Sequence, residues 1–325
     1  MRAAHVTVHG RPPALADVPD PRPGDGEVLV AVTAVSITPL DLLCASGTSY
    51  FGAPALPYVP GVQGVGVVRE GPEPLRGRRV WFPSSAGMAP GDGGMAELAV
   101  ARAEELVVLD AAVPDTLVAA LGLSAVAGWE VLEGRGRLRP GETVLVLGAG
   151  GVVGQVAVQA AHLLGAARVV AVARSERARE AAGSVGADAV VALRPDDTPE
   201  SLTPRLLEAA GGSVDVVVDP LAGVPGTAAV SALAEGGRLV NLGSSAGPAV
   251  SVDSATLRSR SAAVLGYTNN ALTPQRRAEV LGTLLGHAAA GDLTVAHEVR
   301  PIAEVAGAWS SVADGTASGR VVLVP

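Results

Sequence analysis

The pattern of apolar and polar positions divides the chain into two kinds of region. Residues 1–118 carry short apolar or alternating runs at 3–8, 27–36, 61–69, 79–82 and 95–100, separated by turns such as Pro19-Asp20-Pro21-Arg22-Pro23-Gly24. Short runs bounded by proline and glycine predict strands, so this part reads as mostly β. Residues 115–133 change to a helical period, and Arg139-Pro140-Gly141-Glu142 turns the chain into Val144-Leu145-Val146-Leu147. Beyond that turn, apolar strands at 144–147, 168–173, 189–193, 214–219, 237–243 and 262–267 alternate with helical or loop segments. Six such strands with crossovers predict an α/β architecture with a Rossmann-type, doubly wound parallel sheet. A helix over 273–290 is predicted, with Thr273 as N-cap and Pro274 at the first position. The tail, 293–324, shows short strands and a helix around 302–312; too short to bury a core alone, it is expected to pack on the N-terminal β region.

The segment at 144–154 organises the second region. After the apolar strand, glycines recur at Gly148, Gly151 and Gly154, a G-x-x-G-x-x-G spacing in place of the usual G-x-G-x-x-G, whose third glycine would fall on Val153. Val153, Val156, Ala160, Leu163 and Leu164 then mark one helical face, with Gln155, Gln159 and His162 on the opposite one. A strand that turns on glycines into a helix offers unpaired backbone N–H groups to a diphosphate, here around Gly148, Gly151, Val152 and Val153. At the end of the next strand an acid would accept from an adenosine ribose 2′-OH. The chain instead reads Ala173-Arg174-Ser175-Glu176-Arg177-Ala178-Arg179. Guanidinium groups at Arg174 and Arg177 suit a 2′-phosphate, which points to NADP(H) over NAD(H). The other reading of this stretch is a solvated first helical turn with Glu176 as the ribose acceptor.

Composition narrows the classes of function. The chain has 325 residues, enough for one or two domains, and its apolar share of 48 % with only 2 % aromatics predicts a core of Val, Leu and Ala. The net charge of −8 argues against nucleic acid and anionic membranes as partners. The longest apolar region, 144–173, is broken by glycines, Gln and His, so no membrane span is expected. With no signal pattern at the N-terminus, a soluble, cytoplasmic protein is expected. A single cysteine, Cys44, allows neither an intrachain disulfide nor a multi-cysteine metal site. There is no G-x-S-x-G elbow, Cys44 has no basic neighbour, and Asp196-Asp197 read as solvated charge.

The chain resembles the medium-chain dehydrogenase/reductase superfamily, in its zinc-independent quinone oxidoreductase (zeta-crystallin-like) branch. The resemblance rests on the 148–154 turn, Val214-Asp215-Val216-Val217-Val218-Asp219, Gly237-Arg238-Leu239-Val240-Asn241-Leu242-Gly243, Leu257-Arg258-Ser259-Arg260, Leu265-Gly266-Tyr267-Thr268-Asn269 and Gly319-Arg320-Val321-Val322-Leu323-Val324-Pro325. It implies a chaperonin-10-like (GroES-like) catalytic domain over 1–118 and 292–325, and a Rossmann cofactor domain over 119–291. Zinc-dependent relatives carry Cys, His-Glu and Cys where this chain has Thr38, Val62-Gln63 and Leu123, so no catalytic zinc is expected. The resemblance places Thr38, in Thr38-Pro39-Leu40-Asp41, and Tyr50 near the nicotinamide as catalytic residues. The branch's pattern there is Asn-Pro-x-Asp, with Thr38 standing in for the Asn. It further assigns Ser124, Gly243, Ser244, Ser245 and Asn269 to the cofactor, and pairs the edge strand near 262–267 across a two-fold in a homodimer. The implied activity is NADPH-dependent hydride transfer to a quinone or α,β-unsaturated carbonyl. A dedicated enoyl reductase of a biosynthetic pathway, or an NADPH-binding protein with little turnover, are the alternatives.

Overall fold

Valine-rich runs separated by proline and glycine turns fold back on one another in the N-terminal region, and the strand–helix alternation begins where the sequence pattern places it. The computed structural model describes residues 1–325. Its first elements are β1 (Arg2–His5), β2 (Ala14–Asp17), β3 (Glu27–Ser36), α1 (Pro39–Ser46), β4 (Gln63–Glu70), β5 (Arg79–Pro83), β6 (Leu98–Arg102), β7 (Val107–Val108) and α2 (Asp115–Glu130). Then follow β8 (Thr143–Leu147), α3 (Val152–Leu163), β9 (Arg168–Ala173), α4 (Glu176–Ser184), β10 (Ala189–Ala192), α5 (Pro199–Ala210) and β11 (Val214–Asp219). The chain continues through α6 (Gly223–Ser231), β12 (Leu233–Asn241), α7 (Ser254–Arg260) and β13 (Ala263–Gly266). It closes with α8 (Pro274–Ala290), β14 (His297–Pro301), α9 (Val305–Ala313) and β15 (Arg320–Val324).

Contacts divide the chain into two units. The first comprises Met1–Leu123, Thr273–Ala289 and Val295–Pro325. Its seven-stranded sheet runs β14-β15-β3-β4-β5-β7, with β6 also paired to β3. The C-terminal strand β15 lies antiparallel to β3, Val322 opposite Ser36, so the tail completes the β region as its pattern requires. Val30, Ile37, Phe82, Met95 and Trp309 lie in one buried cluster there.

The division differs from the expected boundaries in two places. Helix α8 belongs to the first unit, burying Val280, Leu281, Leu284 and Leu285, and its Arg277 pairs with Glu105 at 3.9 Å. Its period was legible, but periodicity says nothing about which sheet a helix covers. The first junction falls at Leu123, next to a break in α2 at Gly122 (φ 36°, ψ −136°) that the continuous apolar period conceals. Together with the π-helical turn Val131–Arg135, this helix is apolar and long enough to cross a bilayer; 72 % of its most apolar window is buried inside the protein, which is the pattern of a core helix.

The second unit is Ser124–Leu272 with Ala290–Thr294. Its six strands are all parallel, in the order β10-β9-β8-β11-β12-β13. The first strand, β8, lies in the middle, and the direction of winding reverses between β8 and β11, where open α/β sheets bind ligands. Leu145, Val170, Leu202, Leu206 and Leu239 belong to one buried cluster. Two expected solvent-facing groups are buried instead. Gln159 exchanges hydrogen bonds with the backbone of Thr294, at 2.8 and 2.9 Å, and Gln155 donates to Gly150 O at 2.9 Å. Asp197, read as solvated charge, pairs with Arg205 and accepts the Arg194 N–H at 2.7 Å.

Candidate active site

The glycine turn after β8 is shaped by steric need at specific positions. Gly148 has φ 65°, and the Ala149 N–H reaches across to Val172 O of β9 at 3.0 Å, tying the turn to the neighbouring strand. A Cβ at Gly154 would stand 2.5 Å from Ala149 Cα and 2.6 Å from Gly148 O. One at Gly150 would stand 2.4 Å from Ala178 Cβ on α4. The turn is therefore packed from both sides. Gly151 is the N-cap of α3 in extended conformation, with no side chain capping the helix. The first N–H groups of α3, from Val152 and Val153 onward, thus have no competing side-chain acceptor, an arrangement suited to an anion.

The other expected cofactor residues gather at the carboxyl ends of the parallel strands. Arg174 and Arg177 are exposed beyond β9, where Ser175 caps α4 by accepting the Ala178 N–H. Arg179 donates to Arg174 O at 2.7 Å and shapes that turn. Glu176 is exposed at the first position of α4. Gly243 follows β12 with its Cα so close to the chain that a Cβ would meet Pro220 O at 2.6 Å; Ser244 and Ser245 follow it, exposed. Asn269, after β13, accepts the Tyr267 hydroxyl at 2.6 Å. Two residues that sequence reasoning did not single out hold this rim in place. Asp219, fully buried, accepts the N–H groups of Leu221 and Ala222 at 3.0 and 2.8 Å and the Asn241 amide at 2.9 Å. Asn241 donates in turn to Gly243 O at 2.8 Å. Both are the last polar residues of predicted strands, the position from which a side chain can reach a rim loop.

In the first unit, Thr38 is the N-cap of α1 and is buried. Its hydroxyl donates to Asp41 Oδ2 at 2.6 Å and accepts the Asp41 N–H at 3.2 Å, and the Thr38 N–H donates to the same carboxylate oxygen at 2.8 Å. The hydroxyl's one proton is thereby directed at Asp41. The other carboxylate oxygen takes the N–H groups of Gly61 and Val62 at 3.0 and 2.9 Å. Burial pushes the Asp41 carboxyl up from its ordinary value, and these hydrogen bonds oppose that shift. Arg320, also buried, donates to Ile37 O at 2.8 Å; burial lowers its guanidinium to about 10, against the charge of Asp41. Tyr50, in contrast, is 79 % exposed, its ring 4.2 Å from that of Phe51.

The positions that correspond to zinc ligands in zinc-dependent relatives do not form a metal site. Thr38 is engaged with Asp41, and Gln63 bonds the Ser36 hydroxyl and the Leu123 backbone. No three His, Cys, Asp or Glu residues stand close enough to hold an ion. A tetrahedral zinc needs thiolate, imidazole or carboxylate donors, and Thr38, Val62, Gln63 and Leu123 offer none.

Comparison with known proteins agrees with this geometry. Residues 24–111 match the family described as the alcohol dehydrogenase GroES-like domain, and residues 152–285 the one described as zinc-binding dehydrogenase. Quinone oxidoreductase from Lama guanicoe is 29 % identical over 100 % of this chain and 97 % of its own length. The quinone oxidoreductase from Thermus thermophilus, solved alone and in complex with NADPH, is 30 % identical, with a TM-score of 0.83 and full coverage of both chains. The chain belongs to the medium-chain dehydrogenase/reductase superfamily, in its zinc-independent, quinone oxidoreductase-like branch. Within that superfamily, a 315-residue stretch of a phenolphthiocerol/phthiocerol polyketide synthase polypeptide from Mycobacterium tuberculosis is 33 % identical; the match spans 93 % of this chain and 14 % of that protein. The family's zinc-binding description fits its second domain by fold, while the ligand residues are not present in this member.

Proposed function

We propose that this protein is an NADPH-dependent, zinc-independent oxidoreductase that delivers a hydride to a quinone or an α,β-unsaturated carbonyl compound. The observation that carries the reading is the packed glycine turn opening on an uncapped helix N-terminus, followed one strand later by exposed Arg174 and Arg177. The backbone around Gly148, Gly151, Val152 and Val153 would hold the diphosphate, and the two arginines the 2′-phosphate. Gly243, Ser244, Ser245 and Asn269 would line the nicotinamide end, with Ser124 at the nearby phosphate. When bound, NADPH supplies the hydride. Hydride arriving at a conjugated carbon leaves its charge on oxygen, where delocalisation replaces the Lewis acid that a simple ketone needs. What the chain has to provide is position and a proton. Thr38, its own proton directed at Asp41, serves as a fixed wall, and exposed Tyr50 or solvent supplies the proton. The partner at the edge strand β13 is a second copy of the chain.

The Mycobacterium polyketide synthase stretch favours a second reading, a reductase dedicated to one enoyl intermediate. Steady-state assays at 340 nm separate the two. The expected outcome is oxidation of NADPH by a panel of quinones and simple enones, unaffected by a chelator, with kcat/KM at least about tenfold lower with NADH, the worth of ~1.4 kcal/mol. Turnover confined to an enoyl thioester selects the second reading. A preference for NADH removes the role given to Arg174 and Arg177.

A further inference from the structure

Gln63 is a buried polar side chain that the proposed chemistry does not use. It is 1 % exposed, at the first position of β4. Its amide nitrogen donates to Ser36 Oγ at 2.8 Å and to Ala119 O at 3.1 Å, and its carbonyl oxygen accepts the Leu123 N–H at 2.6 Å. Residues 119 and 123 are four apart, so Ala119 O and Leu123 N–H are the two ends of one α-helical hydrogen bond. The Gln63 amide has inserted itself into that bond, taking each end with a group of the right polarity. A side chain inserted into the i→i−4 ladder is a recognised cause of a helix kink. Here the kink is at Gly122, between the two partners, and a Cβ on Gly122 would stand 2.1 Å from Gln63 Oε1. Side chain and kink therefore require each other. A carboxylate at position 63 would turn a lone pair towards Ala119 O, and an aliphatic residue would reach neither end, so an amide is the group that fits both.

We infer that Gln63 is a positioning residue for the cofactor: by splitting the 119–123 hydrogen bond it sets the kink that directs the chain into Ser124. This rests on the NADPH reading above, in which Ser124 contacts the cofactor. With Gln63 truncated, the Ala119–Leu123 bond can close, α2 straightens at Gly122, and Ser124 shifts while the fold keeps its core. The effect belongs to cofactor binding rather than to stability or to the chemical step.

The test measures NADPH affinity by fluorescence titration of the full-length protein, with steady-state kinetics alongside, for wild type, Gln63→Ala, Gly122→Ala and the double variant. Far-UV circular dichroism confirms that each is folded at the temperature used. The expected result is an NADPH Kd and KM raised at least about fivefold in both single variants, kcat changed less than about twofold, and a double variant no worse than the poorer single one, because both changes abolish one arrangement. A folded Gln63→Ala protein that binds NADPH within about twofold of wild type overturns the inference. Additive losses in the double variant overturn it too, since independent effects add. Wild-type protein that fails to bind NADPH at all overturns the functional reading itself, which distinguishes that failure from this one.

Discussion

At the scale of single residues, burial decides what the one thiol can do. Cys44 lies on the inner face of α1, 1 % exposed, and a Cβ on Gly87 would meet its Cβ at 2.7 Å. Burial pushes the thiol up to about 11 from 9.0, the charge of Asp41 adds to this, and a hydrogen bond with Ser49 partly offsets it. The thiolate, not the thiol, reacts with electrophiles, and each pH unit of separation reduces it tenfold. Cys44 is therefore expected to react with iodoacetamide at pH 8 at least ~100-fold more slowly in the native protein than in urea; equal rates would show that the site is open. The same shift carries a stability consequence. Between pH 9 and about 11 the folded chain holds a proton that the unfolded chain has lost, so stability is full below pH 9 and falls as pH rises through that window. At about 1.4 kcal/mol per pH unit, the loss is on the order of 2–3 kcal/mol. Urea denaturation should show it as a falling midpoint above pH 9, flattened in Cys44→Ala; Tyr58, raised in the same direction by its own burial, leaves part of the slope in place.

At the scale of elements, the glycine turn allows the sharpest prediction, because its constraints are backbone against backbone. Replacing Gly154 with Ala puts a methyl group 2.5 Å from Ala149 Cα, and neither atom belongs to a side chain that can swing away. The change is expected to cost about 1–3 kcal/mol of stability, as overpacking does, and to weaken NADPH binding by moving the turn away from α3. Gly183→Ala, with nothing within 4 Å, is the control and should leave both unchanged. Loss of stability in Gly154→Ala with unaltered affinity would separate the turn from the cofactor. This turn was legible in the sequence because its signal is local: an apolar strand, three glycines and a helical period. The six parallel strands were legible for the same reason. What escaped notice was set by partners distant in the chain. Helix α1 is short, and its capping box is visible as Thr38 and Asp41 only once both bonds are seen. The kink at Gly122 interrupts an apolar period that continues on either side, and the amide that causes it comes from residue 63. Gln155 and Gln159 stand on the polar face of α3 by spacing, yet that face is covered and their amides bond Gly150 and Thr294. A helical wheel records which residues share a face and not what lies against it.

At the scale of the whole molecule, the open edges of the sheets govern how copies of the chain can meet. Strand β14, at the edge of the seven-stranded sheet, reads His297-Glu298-Val299-Arg300-Pro301, and its charges and proline discourage pairing with another chain. Strand β13, at the edge of the six-stranded sheet, reads Ala263-Val264-Leu265-Gly266, with neither charge nor proline. Val264 is 40 % exposed there, and hollows of about 660 and 530 Å³, one lined by Gly266 and Tyr267 and the other by Ala263 and Leu265, adjoin the strand. An unguarded apolar edge in a native protein is stable when a copy of itself covers it, and a two-fold axis brings two β13 strands together antiparallel. The other edge strand of this sheet, β10, also lacks charge, and so the two edges need a direct comparison. Val264→Asp places like charges close to the axis in both subunits, whereas Val190→Asp alters β10 alone. Light scattering at micromolar concentration should therefore give twice the chain mass for wild type and Val190→Asp, and the mass of one chain for Val264→Asp. The reverse pattern would move the interface to β10, and a monomeric wild type would mean that β13 stays exposed to water.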